Sequence, residues 1–176
     1  MYKLLLTIFL IVINPGLENQ LVWDADYRLS WSDFRGEPLE KTDAVAITAS
    51  GLSSSFSART SSIALVDYTA SVVAHFYPDK SWYKPEKVNE IVLAHEQLHF
   101  DITELNARKL RKNIADANFT VNIKSEMNQL VDRANKELEI MQELYDSQSD
   151  FSMDLVSQKK WQLFVKEELG RLSNYK

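Results

Sequence analysis

Residues 95–99 read His95-Glu96-Gln97-Leu98-His99, and the chain's 176 residues hold only three histidines. On a helix, residues four apart project from one face, so His95 and His99 present two imidazoles side by side. Two such rings can grip one Zn2+, with Glu96 on the flank, close to the water that the ion activates. Zinc lowers the pKa of that water to about 7 and polarises a carbonyl held against it. Glu96 would then take the water's proton and pass it to the leaving amine. The spacing therefore predicts His95 and His99 as metal ligands and Glu96 as the general base of a zinc metallopeptidase acting on a peptide or protein. The competing structural reading is a pair of core histidines bonded to nearby acids.

A catalytic zinc typically takes three protein ligands and keeps one position open. Asp101 and Glu104 lie two and five residues past His99, well off the shared face at about 100° per residue. They read as groups that orient the imidazoles, or as a solvated helix side. The extended pattern H-E-x-x-H-x-x-G-x-x-H is absent, because positions 102 and 105 are Ile102 and Leu105. Four candidates remain for the third place: His75 from the preceding strand, and Asp146, Asp150 and Asp154 from the link between the second and third helices. A site with two ligands only is the remaining option.

These residues need a scaffold. From Leu21 to Tyr77 the chain is rich in Ser, Thr, Val, Ala and aromatics. Ala44–Ser57 and Ile63–Tyr77 read as strands. In the second, Val66, Tyr68, Ala70, Val72, Ala74 and Phe76 share one face by period two, with His75 on the other. Ser53-Ser54-Ser55 and Thr60-Ser61-Ser62 read as turn or edge segments, and Gly36-Glu37-Pro38 as a turn. Trp23, Trp31 and Phe34 anchor this half.

From Pro85 the pattern turns helical. Val88, Ile91, Val92, His95, Leu98, His99, Ile102 and Leu105 form one stripe, predicting a helix to about Ala115. A second is predicted over 123–145 and a third over 153–172, the latter packing Leu155, Trp161, Phe164, Val165 and Leu169. On the second, Glu126, Asp132, Glu137 and Glu139 all lie about 80° or more from the apolar stripe's centre, which disfavours a glutamate ligand from it. Strands first and helices after predict an α+β fold, N-terminal antiparallel strands followed by a helical half with a zincin-like H-E-x-x-H helix.

Met1–Lys3, the apolar run Leu4–Ile13 broken only by Thr7, and Asn14-Pro15-Gly16 have the layout of a secretory signal peptide. Residues 1–16 are thus expected to be removed, leaving a single exported domain over 17–176, secreted or periplasmic. The run is shorter than the roughly 20 apolar residues of a bilayer span. The absence of cysteine excludes a disulfide framework, a thiolate metal site and a cysteine nucleophile. A net charge of −5 argues against a nucleic-acid binder, and four glycines leave no phosphate-cradling loop.

Trp31-Ser32-Asp33-Phe34-Arg35-Gly36, Ser81-Trp82, Ala94-His95-Glu96-Gln97-Leu98-His99-Phe100-Asp101-Ile102 with Glu104 and Arg108, Tyr145-Asp146, and Gln158 with Trp161 together resemble a bacterial family of predicted secreted zinc-dependent proteases, carried as a domain of unknown function. The resemblance covers nearly all of the expected mature chain. It implies zinc peptidase activity and a third ligand histidine shortly after Tyr-Asp. That position is Phe151 here, and phenylalanine cannot ligate metal. The resemblance thus carries a second implication: a catalytically degenerate, binding or envelope-associated protein on the same scaffold.

Overall fold

The computed structural model describes residues 19–176. The expected signal peptide, residues 1–16, lies outside them. Mixed α+β architecture is observed, with antiparallel strands first and three helices after. Strands β1 (Leu21–Val22), β4 (Leu65–Phe76) and β3 (Ser50–Thr60) form one sheet in the order β1-β4-β3, while β2 (Ala46–Ile47) pairs with β5 (Trp82–Tyr83). Helices α1 (Glu90–Asp116), α2 (Ile123–Gln148) and α3 (Leu155–Arg171) follow.

The β3–β4 hairpin carries the period-two pattern into packing. Val72 and Ala74 are buried against Ala107, Leu110 and Ile114 of α1 and Met127 and Ala134 of α2. His75 lies on the opposite face, opposite Gly51. The expected first strand is broken in two at Thr48-Ala49, and Ser53-Ser54-Ser55 lie in β3, an edge strand of its sheet, as an edge segment and not a turn. The turn itself is at 61–64, where the Ser61 hydroxyl accepts the Ala64 amide and the Ser61 amide donates to the Ala64 carbonyl.

Asn89 starts α1. Its side-chain oxygen accepts the amides of Ile91 and Val92 at 2.9 and 3.1 Å, a cap that contributes about 1 kcal/mol. Pro85 lies in a separate short 3-10 turn before the helix. The three helices share a core of Leu98, Ile102 and Leu105 from α1, Leu138 and Tyr145 from α2, and Trp161 and Val165 from α3. Two residues expected to pack on α3 stay outside its core: Leu155 is exposed, and Phe164, also exposed, meets the Trp161 ring edge-on at 5.7 Å. Gln158 Nε2 donates to the Ile91 carbonyl and Arg108 Nη1 to that of Leu169, so α3 runs in the same direction as α1.

α2 is longer than its apolar stripe predicts and continues to Gln148. It ends in three consecutive left-handed residues, Asp150, Phe151 and Ser152, at φ of 47°, 49° and 77°. Left-handed backbone is unfavourable for residues with a Cβ. The turn is held by the Phe151 amide on the Asp146 carbonyl and the Asp154 amide on that of Ser149, the first being the 6→1 bond of a Schellman motif. Asp154 then caps α3 by accepting the amides of Val156 and Ser157.

The N-terminal aromatics form a separate cluster in which Phe34 packs edge-on against Phe76 and Trp31 stacks on Tyr83. Gly36 is required by close approach, because a Cβ there would stand 2.9 Å from the Ser81 carbonyl oxygen.

Candidate metal centre

His95 and His99 emerge from the middle of α1 and meet the C-terminal turn of α2. His95 Nε2 and His99 Nε2 are 3.1 Å apart. Asp146 Oδ1 stands 3.0 Å from the first and 2.9 Å from the second. The three atoms form a near-equilateral triangle, and the group could hold a metal ion. A tetrahedral ion with bonds of about 2.0–2.2 Å spaces its ligands about 3.3–3.6 Å apart, so the triangle needs to open by only a few tenths of an ångström. Both imidazoles are buried, while the Asp146 side chain is 31% exposed, which leaves the group a route to solvent.

Neighbouring side chains fix what the triangle presents. Gln142 Nε2 donates to the His99 carbonyl and to Thr103 Oγ1, which turns Gln142 Oε1 toward His99 Nδ1. An amide oxygen only accepts, so Nδ1 carries a proton and the Nε2 lone pair of neutral His99 points at Asp146 and His95. Such an arrangement needs a positive charge inside it. In the metal-free protein the surroundings favour a proton in that place: burial opposes charge on His99, but its hydrogen bond to Asp146 and the charges of Glu96 and Asp146 outweigh it and raise the His99 pKa. Burial likewise works against the Asp146 carboxylate, yet its contacts with His95 and His99 hold its pKa far below the ordinary range.

Tyr145 backs the site. Its ring stacks on His95 at 4.5 Å between centroids and meets His99 edge-on at 5.0 Å. Burial, then the nearby Glu96 charge, push its phenol upward, so it stays protonated. Glu96 is itself buried, and its Oε2 has no hydrogen-bond partner among the described residues. A buried carboxylate oxygen left without a donor is costly, and it lies on the residue next to a ligand candidate.

Other candidates are elsewhere. Asp154 caps α3, Asp150 is an exposed turn residue, and His75 Nε2 bonds Ser53 Oγ at 2.7 Å on the outer face of the sheet. Phe151 is 67% exposed. Asp101 and Glu104 neither orient the imidazoles nor form a solvated side. Asp101 accepts from Trp23 Nε1 and Gln97 Nε2, and buried Glu104 accepts from Arg108 and Arg111. Gln142 escaped the sequence reading, although it and Asp146 stand four apart on α2 and so share a face; Tyr145 entered that reading through the resemblance, with no role against the histidines.

Residues 79–152 match a family described as bacterial protein of unknown function (DUF922). The matched segment runs from the approach to β5 through α1 and α2 to the last left-handed residue, and so contains His95, Glu96, His99, Gln142 and Asp146. No curated protein and no solved structure matches the chain.

Proposed function

We propose that the protein is a zinc-dependent hydrolase, a peptidase, in which His95, His99 and Asp146 hold the ion and Glu96 is the general base. The observation that carries this reading is the triangle of nitrogen, nitrogen and oxygen with edges of 2.9–3.1 Å. A histidine–histidine–carboxylate set with an open fourth position is that of catalytic rather than structural zinc. Bound there, zinc supplies a Lewis acid that makes water acidic enough to ionise near neutral pH. The residues of the chain do the rest. Glu96 accepts the proton of the attacking water and delivers it to the departing amine nitrogen. Gln142 keeps the His99 lone pair aimed inward, and the Tyr145 ring fixes both imidazoles against rotation.

The motif and the resemblance support a peptide as the substrate. The degenerate reading arose from Phe151 in place of a ligand histidine, and Asp146 offers the missing atom from within the helix instead. The expected site of action remains outside the cytoplasm, on the strength of the N-terminal pattern. The test is hydrolysis of a casein or mixed-peptide substrate by zinc-loaded protein. Glu96→Gln is expected to keep zinc and lose activity by about 10²–10⁴-fold, the scale of general acid–base catalysis. Wild type that carries zinc and cleaves nothing, or Glu96→Gln that cleaves as well as wild type, would overturn the proposal.

A further inference from the structure

On the side of α1 away from the triangle, a cavity of about 700 Å³ lies between α1, α3 and the 23–29 loop. This is within the roughly 300–1,000 Å³ range of small-molecule sites. Its α1 wall runs from Glu90 to Arg108, a length of about 27 Å at 1.5 Å per residue, so the space is a trough rather than a bowl. Leu93 and Leu98 of α1 and Val165 and Leu169 of α3 line its length.

The charges are not spread evenly. The charged lining residues are Arg28, Arg108, Lys166 and Lys176 against Glu90 and Asp101, a cationic excess on a chain whose net charge is −5. Asp101 is engaged by Trp23 and Gln97. Arg108 is buried over the Trp23 ring, at 5.3 Å. It shares the single carboxylate of Glu104 with Arg111. Arg108 and Glu90 lie at opposite ends of the α1 wall. The trough is thus polarised, with a guanidinium at one end, an acid at the other, and between them aliphatic side chains interrupted by the Arg28–Asp101 ion pair at 3.7 Å.

We propose that this trough binds an unbranched acyl chain ending in a carboxylate, with the head toward Arg108 and the tail toward Leu93. Arg108 spends Nε on Glu104 and Nη1 on the Leu169 carbonyl, so a carboxylate head accepts from its Nη2, the Glu90 end repels the reverse orientation, and the aliphatic wall takes the chain. Neither the triangle nor the hydrolase reading is needed for this.

Isothermal titration of the full chain with sodium decanoate, and with decanol as the uncharged chain of equal length, tests it. Decanoate is expected to bind one to one and about tenfold or more tighter than decanol, the equivalent of about 1.4 kcal/mol. Lys166→Glu, at an exposed position, should weaken decanoate several-fold and leave decanol unchanged. Leu93→Trp should fill the trough and abolish binding of both, with zinc content unaltered. Absence of decanoate binding, equal affinity for the alcohol, or undiminished binding by Leu93→Trp would overturn the proposal.

Discussion

The proposed metal centre depends on Asp146, and truncation of that residue to alanine gives the sharpest test. The side chain is 31% exposed, so Asp146→Ala opens solvent-filled space rather than a dry cavity, and the fold should survive. For wild type at a free zinc concentration of 100 times Kd, binding to the folded state alone adds about 2.7 kcal/mol. A domain of this size gains about 2–4 °C per kcal/mol, so zinc should raise Tm by about 5–11 °C over chelator-treated protein. Groups that merely orient a ligand are worth 10–100-fold in affinity, and losing a ligand should cost at least the upper figure. Asp146→Ala at the same zinc concentration would then sit near its own Kd, leaving about 0.4 kcal/mol, or a shift of about 1 °C. The assay is a pair of melts for each protein with elemental analysis of the dialysed samples. A full zinc shift retained by Asp146→Ala would refute Asp146 as a ligand, and no shift in wild type would refute the centre itself.

The pH dependence of the metal-free protein follows from the same three groups. His99 is raised from 6.5 in the folded state, so its contribution is complete below about 6.5 and is lost as pH rises through the folded value. Asp146 is lowered from 3.8, so its contribution holds above that value and is lost as pH falls through the folded one. The stability difference between wild type and His99→Gln should therefore shrink as pH rises above 6.5 in chelator, and a difference that grows would be contrary to this account. Gln142→Leu should weaken zinc binding by about 10–100-fold in competition with a chelating dye and, by removing the Gln142 hydrogen bonds to His99, lower Tm in chelator by a few degrees; an unchanged affinity would show that the His99 tautomer needs no such partner.

The helical half was legible because its apolar residues recur at helical spacing over long runs, and the motif could be placed on α1 with both histidines on one face. Asp146 was named among four candidates but could not be singled out. The apolar stripe of α2 stops at Tyr145, whereas the helix continues to Gln148 on backbone hydrogen bonds and the left-handed turn that ends it. Whether Asp146 belonged to a helix or a loop decides where its carboxylate points, and periodicity carries no information about a polar last turn. The roles of Asp101 and Glu104 were hidden for a different reason. Trp23, which bonds Asp101, comes from distant sequence; Glu104 and Arg108 stand four apart on α1, a spacing that announces the pair but not its burial. The strand pattern overreached at Thr48-Ala49, where the Thr48 hydroxyl turns away to bond the Glu96 carbonyl on α1.

Five consecutive letters on α1 serve two separate neighbourhoods. Gln97 stands two positions from each histidine and hence about 200° around the helix from both. Its side chain accepts the Leu29 amide at 2.8 Å and donates to Asp101 at 2.9 Å, fastening the segment that carries Trp23 and Leu29 down over the far wall. The middle of the H-E-x-x-H string is therefore a latch for the amino-terminal strap, and an alteration at Gln97 would loosen that strap without touching any atom of the His95–His99–Asp146 triangle. Counting every position of a short motif as chemistry would, in this chain, mistake a fastening for a reagent.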